Sequence, residues 1–159
     1  MTETVDELIR AAEDALRRGG LDELSLREVT RTAGANLAAV NYHFGSKAGL
    51  LYAVLEKRLT PIHNERLRRL SELLERAGDD PPPLESIVAA LIDPLFEALS
   101  ELGDLAPTLM ELALRLVTHP PERPRRSGGV TLVGVLRQFD KALARALPAL
   151  EPSERWRRL

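Results

Sequence analysis

The chain has 159 residues, 44% of them hydrophobic, with no cysteine and a formal net charge of −2. This length and apolar content suffice for a globular core, while the lack of cysteine excludes disulfides, thiolate catalysis and cysteine-bound zinc. No apolar run in the sequence approaches the roughly 20 residues of a membrane span, and residues 1–16 carry acids and no signal-peptide core. We therefore expect a cytoplasmic protein that does not enter a membrane.

An amphipathic helix is the first predicted element. Its apolar residues recur at helical spacing and are Val5, Leu8, Ile9, Ala12 and Leu16. Gly19 and Gly20 are expected to stop it, because glycine tolerates the left-handed backbone of a helix end. This helix would support the segment that follows.

A short second helix is predicted to begin after Ser25. Ser25 and Glu28 have the spacing of a capping box, in which each side chain accepts a free N–H group of the first turn. The apolar positions of this helix lie at helical spacing and are Leu26, Val29 and Ala33. Gly34 is expected to end it.

Asn36 is a candidate N-cap residue for a third helix, which is predicted over residues 37–44. The turn between the second and third helices is then about three residues long, which holds them at a steep angle. The pattern predicts a helix-turn-helix, and its second member fits the major groove of B-DNA.

Periodicity divides the third helix into a buried and an exposed side. Val40 and Phe44 are four residues apart and are expected in the core. The small Ala38 and Ala39 would let the backbone approach DNA closely, and Leu37 also points away from the core.

Polar side chains at the end of the third helix suit a phosphate backbone. Tyr42 and His43 can donate to phosphate oxygens, and the amide of Asn41 suits a phosphate or a base edge. Lys47 opens the next helix after Ser46, a predicted N-cap, where free N–H groups already favour an anion.

The run Asn41-Tyr42-His43-Phe44-Gly45-Ser46-Lys47 is similar to the end of the recognition helix in the TetR family of one-component transcriptional regulators. Members of that family have a tyrosine-aromatic-His-Phe run followed by a short polar pair and lysine, and many carry tyrosine where this chain has Asn41. The resemblance implies that Arg27 contacts phosphate or a base, whereas Arg31 is equally placed for solvent or phosphate. The expected DNA contacts are Arg27, Asn36, Leu37, Ala38, Ala39, Asn41, Tyr42, His43 and Lys47.

The sequence NLAAVNYHFGSK also resembles that of the PsrA-like branch of the family, which responds to long-chain fatty acids or their thioesters.

The charge distribution agrees with DNA binding. Residues 25–58 hold five cations, Arg27, Arg31, Lys47, Lys57 and Arg58, against Glu28 and Glu56, which makes the segment +3 within a slightly acidic chain. We expect DNA binding to be confined to this segment, to weaken with added salt, and to require two DNA-binding domains on two half-sites of the DNA.

Only helices are predicted for the remainder, over about residues 48–77, 84–102, 105–118 and 129–146. Pro61 would kink the first of them. Their apolar stripes indicate the core of a helix bundle, and they contain Ile87, Leu91, Leu95, Leu99, Leu109, Leu112 and Leu116. Arg115 and His119 are interpreted as solvated or capping side chains, and the loop with Arg123, Arg125 and Arg126 as a solvated connection.

The predicted fold is therefore all-α, with a three-helix DNA-binding head at residues 1–47 and a helical effector-binding and dimerisation domain at 48–159. The resemblance implies a small-molecule pocket in that second domain, and leucine- and alanine-rich walls suit an aliphatic effector such as a fatty acid or acyl thioester. Family members continue for two further helices that form the dimer interface. Either the chain is a piece of a longer protein or it dimerises by another surface, and we favour the first.

The function predicted is that of a ligand-controlled transcriptional repressor, a homodimer on a palindromic operator. An enzyme is not expected, since the three histidines are far apart and no phosphate loop or nucleophile motif is present in the sequence. No metal or other cofactor is predicted. The alternative is a helical protein-interaction module or co-regulator without direct DNA binding, because helix-turn-helix geometry does not dictate the partner.

Overall fold

The computed structural model of the protein describes residues 2–118, 130–151, 154 and 157. Within these residues the secondary structure is helical, with no strand, which confirms the predicted all-α class. The helices are α1 (Thr2–Glu23), α2 (Leu26–Thr32), α3 (Leu37–Phe44), α4 (Lys47–Ala77), α5 (Leu84–Leu102), α6 (Ala106–Thr118) and α7 (Leu132–Ala146), with a 3₁₀ turn over Gly103–Leu105 before α6.

The glycine pair divides α1 into a long helix and a short further turn. Gly20 adopts φ 68° and ψ −164°, outside the helical region, and the chain is helical again to Glu23. The extra turn buries Leu21, and Leu24 is buried just beyond it. The predicted stop at the glycine pair is confirmed, and the further helical turn to Glu23 was not predicted.

Ser25 is the N-cap residue of α2, as predicted, but the capping box is not formed. Its side chain makes no capping hydrogen bond, and Glu28 instead accepts from Arg18 Nη2 at 3.0 Å. The carboxylate has a cationic partner on α1, which outcompetes a neutral N–H group.

The turn between α2 and α3 comprises residues 33–36. Gly34 lies in the left-handed region with φ 61°, and the next N–H, that of Ala35, donates to Thr30 O at 2.9 Å. The left-handed glycine and this hydrogen bond end α2 where the sequence predicted.

Later boundaries follow local caps. Ser46 Oγ accepts from Gly49 N–H at 3.0 Å at the start of α4, and Pro61 lies inside that helix. α7 begins at Leu132 because Thr131 caps it, accepting from Gly134 N–H at 3.2 Å. The helix therefore begins three residues after the approximate start that the sequence predicted.

The described residues form two compact units, and the division between them falls inside α4. The first unit holds residues 2–58 and 102–118, and in it α6 and the 3₁₀ turn contact α1. Leu109 and Leu112 of α6 are buried, as predicted. However, they belong to the unit of the helix-turn-helix and not to a separate C-terminal bundle, because α1 is their packing partner.

The second unit has a core built by three helices. Its described part comprises residues 59–101, 130–151, 154 and 157. The buried cluster takes two residues from α4, two from α5 and four from α7: Leu70, Leu73, Ile87, Ala90, Val135, Phe139, Ala142 and Leu143. The division into a DNA-binding part at 1–47 and an effector-binding part at 48–159 concerns function and stays a prediction.

Arg115 makes surface ion pairs, with Glu111 at 2.6 Å and Asp22 at 3.4 Å, as its solvated interpretation predicted. His119, the cations Arg123, Arg125 and Arg126, and the C-terminal segment with Trp156 lie outside the described residues. Among the residues described, no helix is both long and apolar enough to cross a membrane.

Candidate nucleic-acid interface

The candidate recognition helix α3 is fixed at both ends. Asn36 Oδ1 accepts from Ala39 N–H at 2.9 Å, which confirms the predicted N-cap. At the other end Gly45, with φ 77°, donates its N–H to Asn41 O at 3.1 Å. A helix of only eight residues depends on such caps, because short isolated helices are marginal in water.

The helix packs through one side only. Val40 is fully buried, as predicted, whereas Phe44 is half-buried. The predicted contacts on the other side fall into two groups by exposure. Leu37 and Tyr42 are 48% and 74% exposed, and Ala38, Asn41 and the capping Asn36 are also exposed, while Ala39 and His43 are half-buried.

An aromatic row closes the helix. The rings of Tyr42 and His43 meet edge to face, with centroids 4.9 Å apart, and His43 makes a similar contact with Phe44 at 6.2 Å. His43 thus lies between an exposed tyrosine and a half-buried phenylalanine. These contacts restrict its ring while the tyrosine hydroxyl remains at the surface.

Lys47 is held by the backbone of the first unit. Its Nζ donates to Leu24 O at 2.5 Å, just beyond the end of α1. The structure therefore supplies a carbonyl partner where the sequence predicted a phosphate. An ammonium group has three N–H donors, so a bond to Leu24 leaves donors for an anion and fixes where they lie.

Positive charge in this unit is smaller than the sequence count suggests. Arg58 donates from Nε and Nη2 to both carboxylate oxygens of the buried Glu13, at 2.5 and 2.7 Å, and these bonds raise the pKa of Arg58. Lys57 also pairs with an α1 acid, Asp6, at 3.4 Å. Arg27, Arg31 and Lys47 are left as the cations of the helix-turn-helix, and both arginines are exposed.

Gly49 determines how closely α4 approaches the end of α3. A Cβ at this buried position would lie 1.9 Å from the carbonyl oxygen of Phe44. Only glycine fits such an approach. Sequence reasoning did not single out Gly49, although a glycine in the first turn of a predicted helix is a signal of close backbone contact.

Comparison with known families matches residues 8–54 to the group described as "Bacterial regulatory proteins, tetR family". This segment is a TetR-like helix-turn-helix domain. It contains α2, the turn, α3 and the first turns of α4, together with most of α1. The match favours DNA binding and transcription regulation over the protein-interaction alternative.

One curated relative matches this chain over more residues than the TetR-like domain contains. "HTH-type transcriptional regulator BetI 2" of Chromohalobacter salexigens is 29% identical over 102 residues, which are 64% of this chain and 46% of that protein. The chain thus spans about half the length of this curated relative. Among solved structures, the multidrug binding protein EbrR, complexed with imidazole, matches with a TM-score of 0.48 and 22% identity over 95% of this chain and 75% of its own.

The PsrA-like branch stays a prediction. A metal centre finds no support in the described part of the chain, where no three His, Asp or Glu side chains are grouped to hold an ion.

Proposed function

We propose that the protein is a transcriptional repressor of the cytoplasm that binds a palindromic operator as a homodimer, and that a small-molecule effector controls its affinity for DNA. The observation that carries this proposal is the exposed side of α3. A helix capped at both ends presents small, polar and aromatic side chains to solvent within a TetR-like domain. A helix of this kind fits the major groove of B-DNA.

Each predicted contact has a physical role in this proposal. Arg27, Tyr42, His43 and Lys47 would bind phosphates and set the register of α3 on the duplex. The amides of Asn36 and Asn41 would read base edges or bind phosphate. Apolar and small residues would complete the contact: Leu37, Ala38 and Ala39.

Effector control would act through α4, which contributes to both compact units. Leu50 and Val54 are buried in the first unit, and Leu70 and Leu73 in the second. A ligand among the apolar residues of the second unit would shift the equilibrium between two positions of α4. This shift would change how well the two DNA-binding domains of a dimer fit two half-sites. The apolar walls favour an aliphatic effector, such as a fatty acid or acyl thioester.

The first experiment is selection of bound DNA from a random pool, followed by affinity measurements across a salt series. Arg27→Ala removes one phosphate contact from each head, so the slope of log K against log salt should become shallower by about 1.8 for a dimer, at about 0.9 per phosphate. Arg76→Ala is the matched control, because Arg76 is also exposed but lies at the end of α4 in the second unit.

Circular dichroism would confirm that both variants keep their helices. The proposal fails if no sequence is enriched, or if Arg27→Ala and Arg76→Ala change the salt slope equally.

A further inference from the structure

The second unit contains a buried cation that the DNA-binding function does not use. Arg66 on α4 is only 6% exposed, and His63, one turn earlier, is 4% exposed. Arg66 Nε donates to the carbonyl oxygen of Leu91 on α5 at 2.7 Å. Its Nη1 lies 3.3 Å from His63 Nδ1.

No carboxylate balances this charge within the described residues. The neighbouring Arg68 and Arg69 are paired with Glu65, Glu72 and Glu97, whereas the partners of Arg66 are a carbonyl and an imidazole. Burial lowers the pKa of Arg66. A buried guanidinium without an anion is costly, and arginine does not escape the cost by losing its proton.

The carbonyl that binds Arg66 lies in the turn of α5 before a proline. Pro94 is buried inside that helix, where it has no N–H to donate and its ring crowds the carbonyl of Ala90. Leu91 is the next residue, and its carbonyl accepts from the guanidinium of Arg66. This contact satisfies Nε but leaves the positive charge without an anion.

The guanidinium keeps donors for a ligand. Nη2 has no hydrogen-bond partner in the described part of the chain. Every fully buried side-chain nitrogen there has a partner, so Nη2 must be reachable by solvent. Nη1 uses one of its two N–H groups at most. If His63 Nδ1 accepts from Nη1, the imidazole is neutral and carries its proton on Nε2, a further donor.

We propose that Arg66 and His63 bind the carboxylate of an amphiphilic effector in the second unit. The parallel N–H groups of Nη1 and Nη2 match the two oxygens of a carboxylate. Leu91, whose carbonyl accepts from Arg66, is partly buried and packs against the apolar core cluster of the second unit, so an alkyl chain beside the carboxylate would meet apolar side chains. This inference rests on the proposed effector control and specifies the chemistry of the ligand.

Octanoate and octan-1-ol are a matched pair of probes, since they share an alkyl chain and differ in charge. Calorimetric titration of the full chain should show octanoate binding, with octan-1-ol weaker by about tenfold or more. Arg66→Gln should weaken octanoate binding by about tenfold or more, while Arg68→Gln, an exposed arginine on the same helix, should leave it within about twofold. Equal binding of the two probes, no binding of octanoate, or full binding by Arg66→Gln would overturn the proposal.

A wild-type measurement covers the case in which Arg66→Gln does not fold. In protein labelled with ¹⁵N-arginine, the slowly exchanging Nε–H resonance of the buried Arg66 should shift with octanoate and stay in place with octan-1-ol. A resonance that octanoate does not move contradicts the site.

Operator affinity measured on the same samples separates this inference from the proposed function. DNA binding that persists without octanoate binding overturns the carboxylate site and leaves the repressor proposal standing. Octanoate bound at Arg66 in a protein that binds no DNA supports the site and overturns the repressor. Octanoate bound there without any change in DNA affinity removes its role as effector.

Discussion

At Gly49 a hydrogen atom occupies the place where any other residue would put a carbon 1.9 Å from the Phe44 carbonyl. Gly49→Ala should therefore destabilise the protein by about 1–3 kcal/mol, the usual range for overpacking. Helix propensity alone predicts the opposite, a gain of up to about 1 kcal/mol. Urea unfolding followed by circular dichroism measures the difference.

Gly134→Ala is the control for this substitution. It also lies in a helix, but its Cβ would meet only Thr131 Oγ1, at the ordinary distance of 3.4 Å. This variant should be neutral or slightly stabilised, and equal destabilisation of the two would contradict the steric explanation.

His63 should make stability depend on pH. Burial, and to a lesser extent the charge of Arg66, lower its pKa below the ordinary value. Below pH about 6.5 the unfolded chain then binds a proton that the folded chain does not, so stability falls on acidification by at most about 1.4 kcal/mol per pH unit.

His63→Gln removes this difference in proton binding. Between about pH 7.5 and about pH 5.5 its free energy of unfolding should fall less than that of the wild type. A parallel fall in both proteins, measured by urea unfolding at the two pH values, would show that His63 is not responsible.

Among the elements, the two short helices of the TetR-like domain begin with N-cap residues of unequal strength. Asn36 makes a side-chain bond to the N–H of Ala39, whereas Ser25 makes none. Asn36→Ala should cost about 1 kcal/mol, typical of a lost N-cap, and Ser25→Ala only a few tenths. Thermal unfolding compares them, and equal losses would refute the difference.

Helix limits were predictable where the signal is local. The bounds of α3 and α5 agree with prediction. Their signals are the cap residues Asn36 and Gly45 and the prolines after Gly78, and each acts within one turn of the helix end that it sets. The capping box failed because the partner of Glu28 is Arg18, ten residues away. Likewise, the spacing pattern could not show that Leu24 O would hold Lys47.

On the scale of the whole molecule, two cores should respond separately to mutation. Leu112→Ala and Phe139→Ala should each cost about 2–5 kcal/mol, because both side chains are buried. By native-state hydrogen exchange, Leu112→Ala should accelerate exchange mainly in α1 and α6, and Phe139→Ala mainly in α5 and α7. Uniform acceleration throughout the described helices would indicate one cooperative core.

Partners distant in sequence were beyond prediction. The stripe on α6 predicted burial, but a periodic pattern shows which side of a helix is covered and not by what. The pairs Arg58 with Glu13 and Arg66 with Leu91 join residues 45 and 25 positions apart. In the candidate interface, the exposed side of α3 could be derived from period and caps, whereas the DNA contacts themselves stay predictions.

The packing of α6 on α1 bears on how chimeric regulators are assembled. A head exchanged as one contiguous piece, residues 2–58, would leave behind the buried Leu105, Leu109 and Leu112 of its own compact unit. The donor's α1 would then meet a foreign α6, with mismatched side chains in a close-packed core. A sound graft therefore transfers two separate segments, the second over residues 102–118, even though the TetR-like match ends at residue 54.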